Sequence, residues 1–211
     1  MFELVQAGGW LMLPIILASV VAVAIIAERF WTLRRKRIFP KGLVSAIIKL
    51  QRQGELNGEQ IEGIRNSSVL GRVLAAGLTN MEHSREIMKE SIEETGRQAI
   101  LELERFLNAL GTIASITPLL GLLGTVIGMI KVFSVITTQG VGDPGVLAGG
   151  ISEALVTTAA GLAVAIPSLM FYRYFRAHVD ELALEMEDEA LRMVEVLKGD
   201  REAESGPEPV L

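Results

Sequence analysis

The sequence predicts an all-α integral membrane protein: three transmembrane helices, with spans 2 and 3 extended into a cytoplasmic helical domain. Three observations predict it. First, half of the 211 residues are apolar and 21% are charged, yet the two kinds are segregated. The runs Leu4 to Ala27, Phe106 to Ile130 and Ala154 to Tyr172 carry no charge, and each is near the roughly 20 residues that a helix needs to cross about 30 Å of hydrocarbon. Second, 14 of the 20 Lys and Arg residues lie between Arg29 and Arg105 and five more follow the third run, leaving only Lys131 elsewhere. That asymmetry puts residues 32–105 and 173–198 in the cytoplasm and the amino terminus outside. Third, apolar residues recur at helical spacing through both cytoplasmic stretches.

Taken in order, residues 1–31 form the first span. Leu11 to Ile26 resembles the core of a secretory signal, but Glu3 precedes it and Arg29, Arg34, Arg35, Lys36 and Arg37 follow it. The basic end therefore stays in the cytoplasm and the segment is a retained anchor. Trp10 and Trp31 bracket it as interfacial rings, and Pro14 falls in the first turns, where it removes no helical hydrogen bond. Residues 32–105 have the composition of a soluble helical domain, with Gly54, Gly58 and Asn66 to Ser68 punctuating helical patterns over Leu43 to Leu50 and Val69 to Leu78. Met88, Ile92, Thr95, Ala99, Leu103, Phe106 and Leu110 share one face at spacings of 4, 3, 4, 4, 3 and 4, which predicts a helix running unbroken into the second span at 106–136. A glycine-rich turn at 137–148 leads outside the membrane to the third span at 149–172. The helix then continues through 173–198 with Val179, Leu182, Met186, Ala190, Met193 and Leu197 on one face, for a bundle within or between subunits. Residues 199–211, with Pro207 and Pro209, read as a disordered tail.

Composition removes several function classes. The chain has no cysteine, which excludes thiolate metal sites and cysteine nucleophiles. The net charge of -5 is concentrated between Asp180 and Glu208, against a nucleic-acid partner. There is no phosphate-binding glycine loop, and His83 and His178 make no metal pair. No enzyme activity, cofactor or metal is expected. A transmembrane potential remains as an energy source, at about 2.3 kcal/mol per charge across 100 mV.

The hairpin of spans 2 and 3 carries what a simple anchor avoids. Thr125 and Thr158 fall near mid-depth, and Lys131 and Glu153 lie about 7 to 9 Å from the outer surface by the helical rise. A carboxylate inside a span costs roughly 2.5 to 3.5 kcal/mol on insertion scales, so Glu153 either faces protein or a water-filled cavity or reaches up to headgroup water. Lys131 either snorkels outward or pairs with Glu153. Thr157 shares the face of Glu153, whereas Thr158 lies about 140° away. Thr117, Gly121, Thr125 and Gly128 form one stripe of small or hydroxylated residues, and Ala154, Thr158, Gly161 and Ala165 another. Such stripes pack helices closely in lipid; the hydroxyls can also satisfy backbone carbonyls one turn back, and Pro118 and Pro167 free carbonyls of their own.

Gly121-Leu-Leu-Gly124-Thr125-Val-Ile-Gly128, then Gly150-Ile-Ser-Glu153-Ala-Leu-Val-Thr157-Thr158-Ala-Ala-Gly161-Leu and Ile166-Pro167, resemble the MotA/TolQ/ExbB proton-channel family, and within it ExbB and TolQ. The resemblance implies a homopentamer in the bacterial inner membrane, its second and third helices lining a pore that holds an ExbD- or TolR-like single-span partner. That partner would carry the aspartate that takes up protons. Thr125 and Thr158 then line the pore beside it, and Glu153 matches the family's intramembrane glutamate, with Thr157 on its face. MotA-type stators, with a fourth span, fit less well, and Lys131 lies outside the recognised pattern. The implied function is coupling of the proton motive force to a TonB- or TolA-like envelope-spanning protein, in TonB-dependent transport or in Tol-type envelope maintenance. A passive membrane scaffold is the reading from a different class.

Overall fold

A computed structural model of the chain describes residues 8–140 and 144–199. Among them the chain forms eight helices and no strand: α1 (Met12–Thr32), α2 (Arg35–Ile38), α3 (Leu43–Gln53), α4 (Gly58–Ser67), α5 (Val69–Thr79), α6 (Arg85–Leu103), α7 (Leu107–Gln139) and α8 (Pro144–Leu197). By length and composition α1, α7 and α8 can each cross a membrane, which agrees with the three apolar runs. The chain divides into two compact units, one comprising residues up to Arg29 with Phe106–Arg176, the other Phe30–Arg105 with residues from Ala177 onward.

The first unit is built from α1, α7 and the first part of α8. Its buried positions are mostly small, among them Ala22, Ala114, Thr117, Ala154, Thr157, Ala165 and Ser168, whereas Leu13, Leu17, Leu119, Ile130, Leu155 and Met170 are exposed. This distribution follows from lipid as solvent: a leucine gains nothing by leaving the hydrocarbon, while small residues let helices approach and gain contact energy. Arg29 is buried at the end of α1. Its guanidinium donates to both carboxylate oxygens of Glu28 and stands 5.7 Å from the centroid of the Phe106 ring.

The second unit has an ordinary apolar core. Leu70, Val73, Leu74, Ala75 and Leu78 of α5 are buried, and α5 packs against both α4 and α6. Val179, Leu182, Met186, Ala190 and Met193 of α8 are buried too, so this face of the last part of α8 closes a bundle within the chain. Asn57, Ser68 and Ser84 cap α4, α5 and α6 by accepting from the backbone N–H groups of Gln60, Gly71 and Ile87, which satisfies donors that a helix start leaves free. Ion pairs join Arg72 to Glu102 and Arg35 to Glu185. The Lys198 ammonium donates to the carbonyls of Met81 and His83.

Two sequence expectations are corrected. The helix expected to run unbroken from Met88 through Leu110 ends at Leu103 and restarts at Leu107. Between them Phe106 has φ of 64°, the left-handed region, at a cost of roughly 1 to 2 kcal/mol for a residue with a Cβ. Phe106 is consequently exposed while Leu107 is fully buried; the cation over the Phe106 ring returns on the order of 0.5 to 2 kcal/mol. Spacing alone could not show this, because Leu103–Phe106–Leu110 and Leu103–Leu107–Leu110 are both helical patterns. The expected turn at 137–148 is also shorter. Helix α7 continues to Gln139 and α8 starts at Pro144, with the hydroxyls of Thr137 and Thr138 folded back on the Ser134 carbonyl and proline at the first helical position, where its fixed φ suits the helix. Residues 141–143 of that turn and the tail residues 200–211 lie outside the described residues.

Candidate functional site

Helices α7 and α8 meet along a ladder of small residues. A methyl group in place of the Gly128 hydrogen would lie 2.8 Å from Ala154 Cβ; at Gly124 it would lie 2.6 Å from Thr157 Cγ2. At Gly121 it would reach 3.0 Å from Thr158 Cα, and at Gly161 2.7 Å from the Thr117 carbonyl oxygen. Gly150 meets Val132 in the same way, at 2.6 Å. Four of these five glycines thus have no room for a Cβ, and the two backbones come as close as the sequence stripes allow. Ala165 continues the buried line on α8.

The hydroxyl groups sit on or beside this ladder. Thr158 donates across the helix pair to the Gly121 carbonyl at 2.8 Å. Thr125, one turn along from Gly121, donates back to the Leu122 carbonyl at 2.6 Å, and Thr117, buried beside Pro118, donates to the Ile113 carbonyl. Thr157 is buried, with its hydroxyl 2.7 Å from the carbonyl oxygen of Gly8 and 2.8 Å from that of Glu153. It ties α8 to the turn that precedes α1 and presents no open surface within the protomer. Thr125 and Thr158 are half-buried.

Glu153 is also half-buried, and its Oε1 accepts from Lys131 Nζ at 2.7 Å. Of the two alternatives that spacing left for Lys131, the structure holds the ion pair. Glu153, Thr157 and Gly124 line a small cavity of about 10 Å³ together with Gly8, Trp10, Leu11 and Ile127. The helical angle separating Glu153 and Thr157 from Thr158 has its counterpart here: the first two face the entry of α1, and Thr158 faces α7.

Chemically, the hydroxyls of Thr125, Thr157 and Thr158 each donate to a backbone carbonyl, so each has spent its proton and keeps lone pairs that accept. Among the described residues no cluster of acidic and histidine side chains has a metal-binding arrangement. Residues that sequence reasoning passed over are Gly8 and Gly9, on which Thr157 and Glu153 rest, and Gly124 and Gly150 as ladder positions. The Gly-Gly doublet directly before Trp10 was the available signal for the first two.

The sequence model of the MotA/TolQ/ExbB proton channel family matches residues 65–188, which takes in α5, α6, α7 and most of α8. The chain is similar to the biopolymer transport protein ExbB-like 1 of Synechocystis sp., at 34% identity over 79% of this chain and 66% of that protein. It is similar to ExbB-like 3 of the same organism, at 35% over 82% of this chain and 83% of that one. The Tol-Pal system protein TolQ of Haemophilus influenzae is 30% identical over 74% of this chain and 65% of its own length.

Proposed function

Because the chain belongs to the MotA/TolQ/ExbB proton channel family, a family of channels and not of enzymes, we propose that it is the proton-channel subunit of an inner-membrane motor complex. The complex couples the proton motive force to an envelope-spanning partner. Relatives named for ExbB favour the branch that energises TonB-dependent transport; the TolQ relative at a similar identity supports envelope maintenance as the second reading.

The single observation that carries the proposal is Thr158 on the α7–α8 ladder. Its proton is committed to the Gly121 carbonyl, so its free lone pairs offer an acceptor to a protonated group brought alongside. Thr125 is placed and bonded in the same sense on α7. A carboxylic acid on a partner's transmembrane helix is the donor this arrangement suits, and an ExbD- or TolR-like chain supplies that chemistry. Copies of this chain surround such a helix as a homopentamer, with α7 and α8 toward it. Large apolar side chains exposed on the second unit, Leu101 and Leu184 among them, give neighbouring copies apolar surface to bury. The amino terminus faces the periplasm and residues 32–105 the cytoplasm, on the basis of the Lys and Arg asymmetry.

Reconstitution with the partner, followed by proton flux and coupled activity, tests the reading. Thr158→Val keeps shape and removes the acceptor oxygen, and Glu153→Ala removes the carboxylate; coupled activity is expected to fall at least about tenfold in each, the loss of a hydrogen bond to a charged or transferring group being worth about 1.5 to 3 kcal/mol. Undiminished coupling in both variants removes these residues from the mechanism and leaves the passive scaffold.

A further inference from the structure

We propose that Lys131 is a positioning residue that holds the Glu153 carboxylate against the Gly8–Gly9 turn, so that one ion pair fastens the first span to the outer end of the α7–α8 hairpin. Three elements meet at that carboxylate. Helix α7 supplies the Lys131 ammonium at 2.7 Å from Oε1, a distance typical of a charge-assisted hydrogen bond. Helix α8 carries Glu153 itself and, one turn on, Thr157, whose hydroxyl reaches the Gly8 carbonyl at 2.7 Å. The turn ahead of α1 supplies Gly9, with φ of +69°, and a Cβ built there would lie 2.2 Å from the same Oε1. The carboxylate therefore occupies the space that a side chain at position 9 would need, and the left-handed backbone there independently favours glycine.

The pair is not an incidental surface contact. The Glu153 side chain is 27% exposed and the Lys131 side chain 52%, so the lysine has access to the outer interface yet turns its ammonium inward. An intramembrane carboxylate without a partner turns toward protein or water, and withdrawing the lysine frees Glu153 to leave the Gly9 surface. Trp10 and Leu11 line the cavity beside Glu153 and Thr157, which has room for about one water at most. A carboxylate that swings out opens that space to solvent.

The absence of cysteine makes the test direct. Leu11 lines the cavity and is 4% exposed, so Leu11→Cys in the assembled complex provides the only thiol in this chain and reacts slowly with a small maleimide. Adding Lys131→Met is expected to speed labelling about tenfold or more, because the reagent reads the population of locally opened molecules. Glu153→Gln is expected to do the same, the two together to add little, and Lys131→Arg to restore the slow rate. Gly9→Ala, which places a methyl against the carboxylate and leaves both charges in the chain, is expected to speed labelling as well and stands in if Lys131→Met does not fold. Parent-like labelling in folded Lys131→Met, or in Gly9→Ala, overturns the proposal.

The consequence for function rests on Glu153 belonging to the proton pathway, and coupled activity separates the two ideas. If labelling responds as described while Glu153→Gln keeps full coupling, the clasp stands and Glu153 leaves the pathway. If Glu153→Gln loses coupling while Lys131→Met changes neither labelling nor coupling, the clasp is wrong and the pathway stands.

Discussion

Substituting alanine for Gly161 and for Gly149 on the same helix should change stability by clearly different amounts. A Cβ at Gly161 would sit 2.7 Å from the Thr117 carbonyl oxygen, 3.2 Å from Gly121 Cα and 3.3 Å from Gly121 N. The closest of these is about 0.7 Å inside ordinary van der Waals contact. All three atoms belong to the α7 backbone, so no side chain can rotate away and the helices must separate. At Gly149 a Cβ meets nothing within 4 Å. Both substitutions gain the same helix propensity, roughly 0.8 to 1 kcal/mol, which cancels in the comparison. What remains is the overpacking cost at Gly161, about 1 to 3 kcal/mol. For a chain of this length that corresponds to a Tm about 2 to 12 °C lower than that of Gly149→Ala. Thermal unfolding of the two purified variants in one detergent, followed by circular dichroism, measures the difference. Equal Tm values would show that α7 and α8 are not in backbone contact at this rung, and the ladder would lose its physical basis.

Two further outcomes are expected. Leu182 is buried and Leu184 is 64% exposed, so Leu182→Ala should cost about 2 to 5 kcal/mol in chemical unfolding, whereas Leu184→Ser should leave unfolding unchanged and, on the proposed assembly, shift the oligomer distribution in native mass spectrometry toward smaller species; unaltered assembly in Leu184→Ser would take Leu184 out of the proposed subunit contact. At the start of α6 the Glu86 carboxyl titrates below the usual carboxylate range, held there first by its own backbone N–H and then by the Ser84 hydroxyl. A depressed folded value means that its contribution is complete above the ordinary carboxylate pKa and is lost as pH falls through the depressed one. Ser84→Ala should move the Glu86 titration upward in carboxyl-carbon NMR and cost about 0.5 to 2 kcal/mol through the lost cap; an unmoved titration would rule out the hydroxyl as a cause.

The three spans were legible because lipid demands long charge-free runs, whereas a helix of similar length on a soluble domain carries charge on its solvent face. The small-residue stripes were legible for a related reason: Gly121 and Gly128 recur on one face of α7, and Ala154, Gly161 and Ala165 on one face of α8. Which residue meets which was not. Periodicity describes a helix in its own frame and holds no information about a neighbour, so the partnership of Gly124 with Thr157 and of Gly9 with Glu153 emerges only from coordinates. Lys131 shows the same limit. Depth arithmetic placed it level with Glu153, but only the rotation of α7 against α8 decides between an outward lysine and an ion pair. At Phe106 a single reversed φ breaks a helix whose apolar spacing runs straight through it, since Leu107 keeps the buried face as well as Phe106 would.

Where the hydroxyl protons go bears directly on mechanism. Within the hairpin, Thr112, Ser115, Thr117, Thr125 and Ser168 each donate to a carbonyl three or four residues back. Thr158 donates to the opposite helix, and Thr157 to the carbonyl of Gly8 or of Glu153. Giving up such a proton would leave a carbonyl newly unsatisfied wherever no water reaches it. These groups are therefore acceptors in practice. A chain of acceptors can stabilise a proton that something else carries, but it cannot load one. Glu153, the one acid at this depth among the described residues of the hairpin, has its carboxylate held by Lys131 and faces the entry of α1. A donor group brought beside Thr125 and Thr158 would therefore meet lone pairs and not protons, which is the property that the proposed pairing with an acid on a partner's helix relies on.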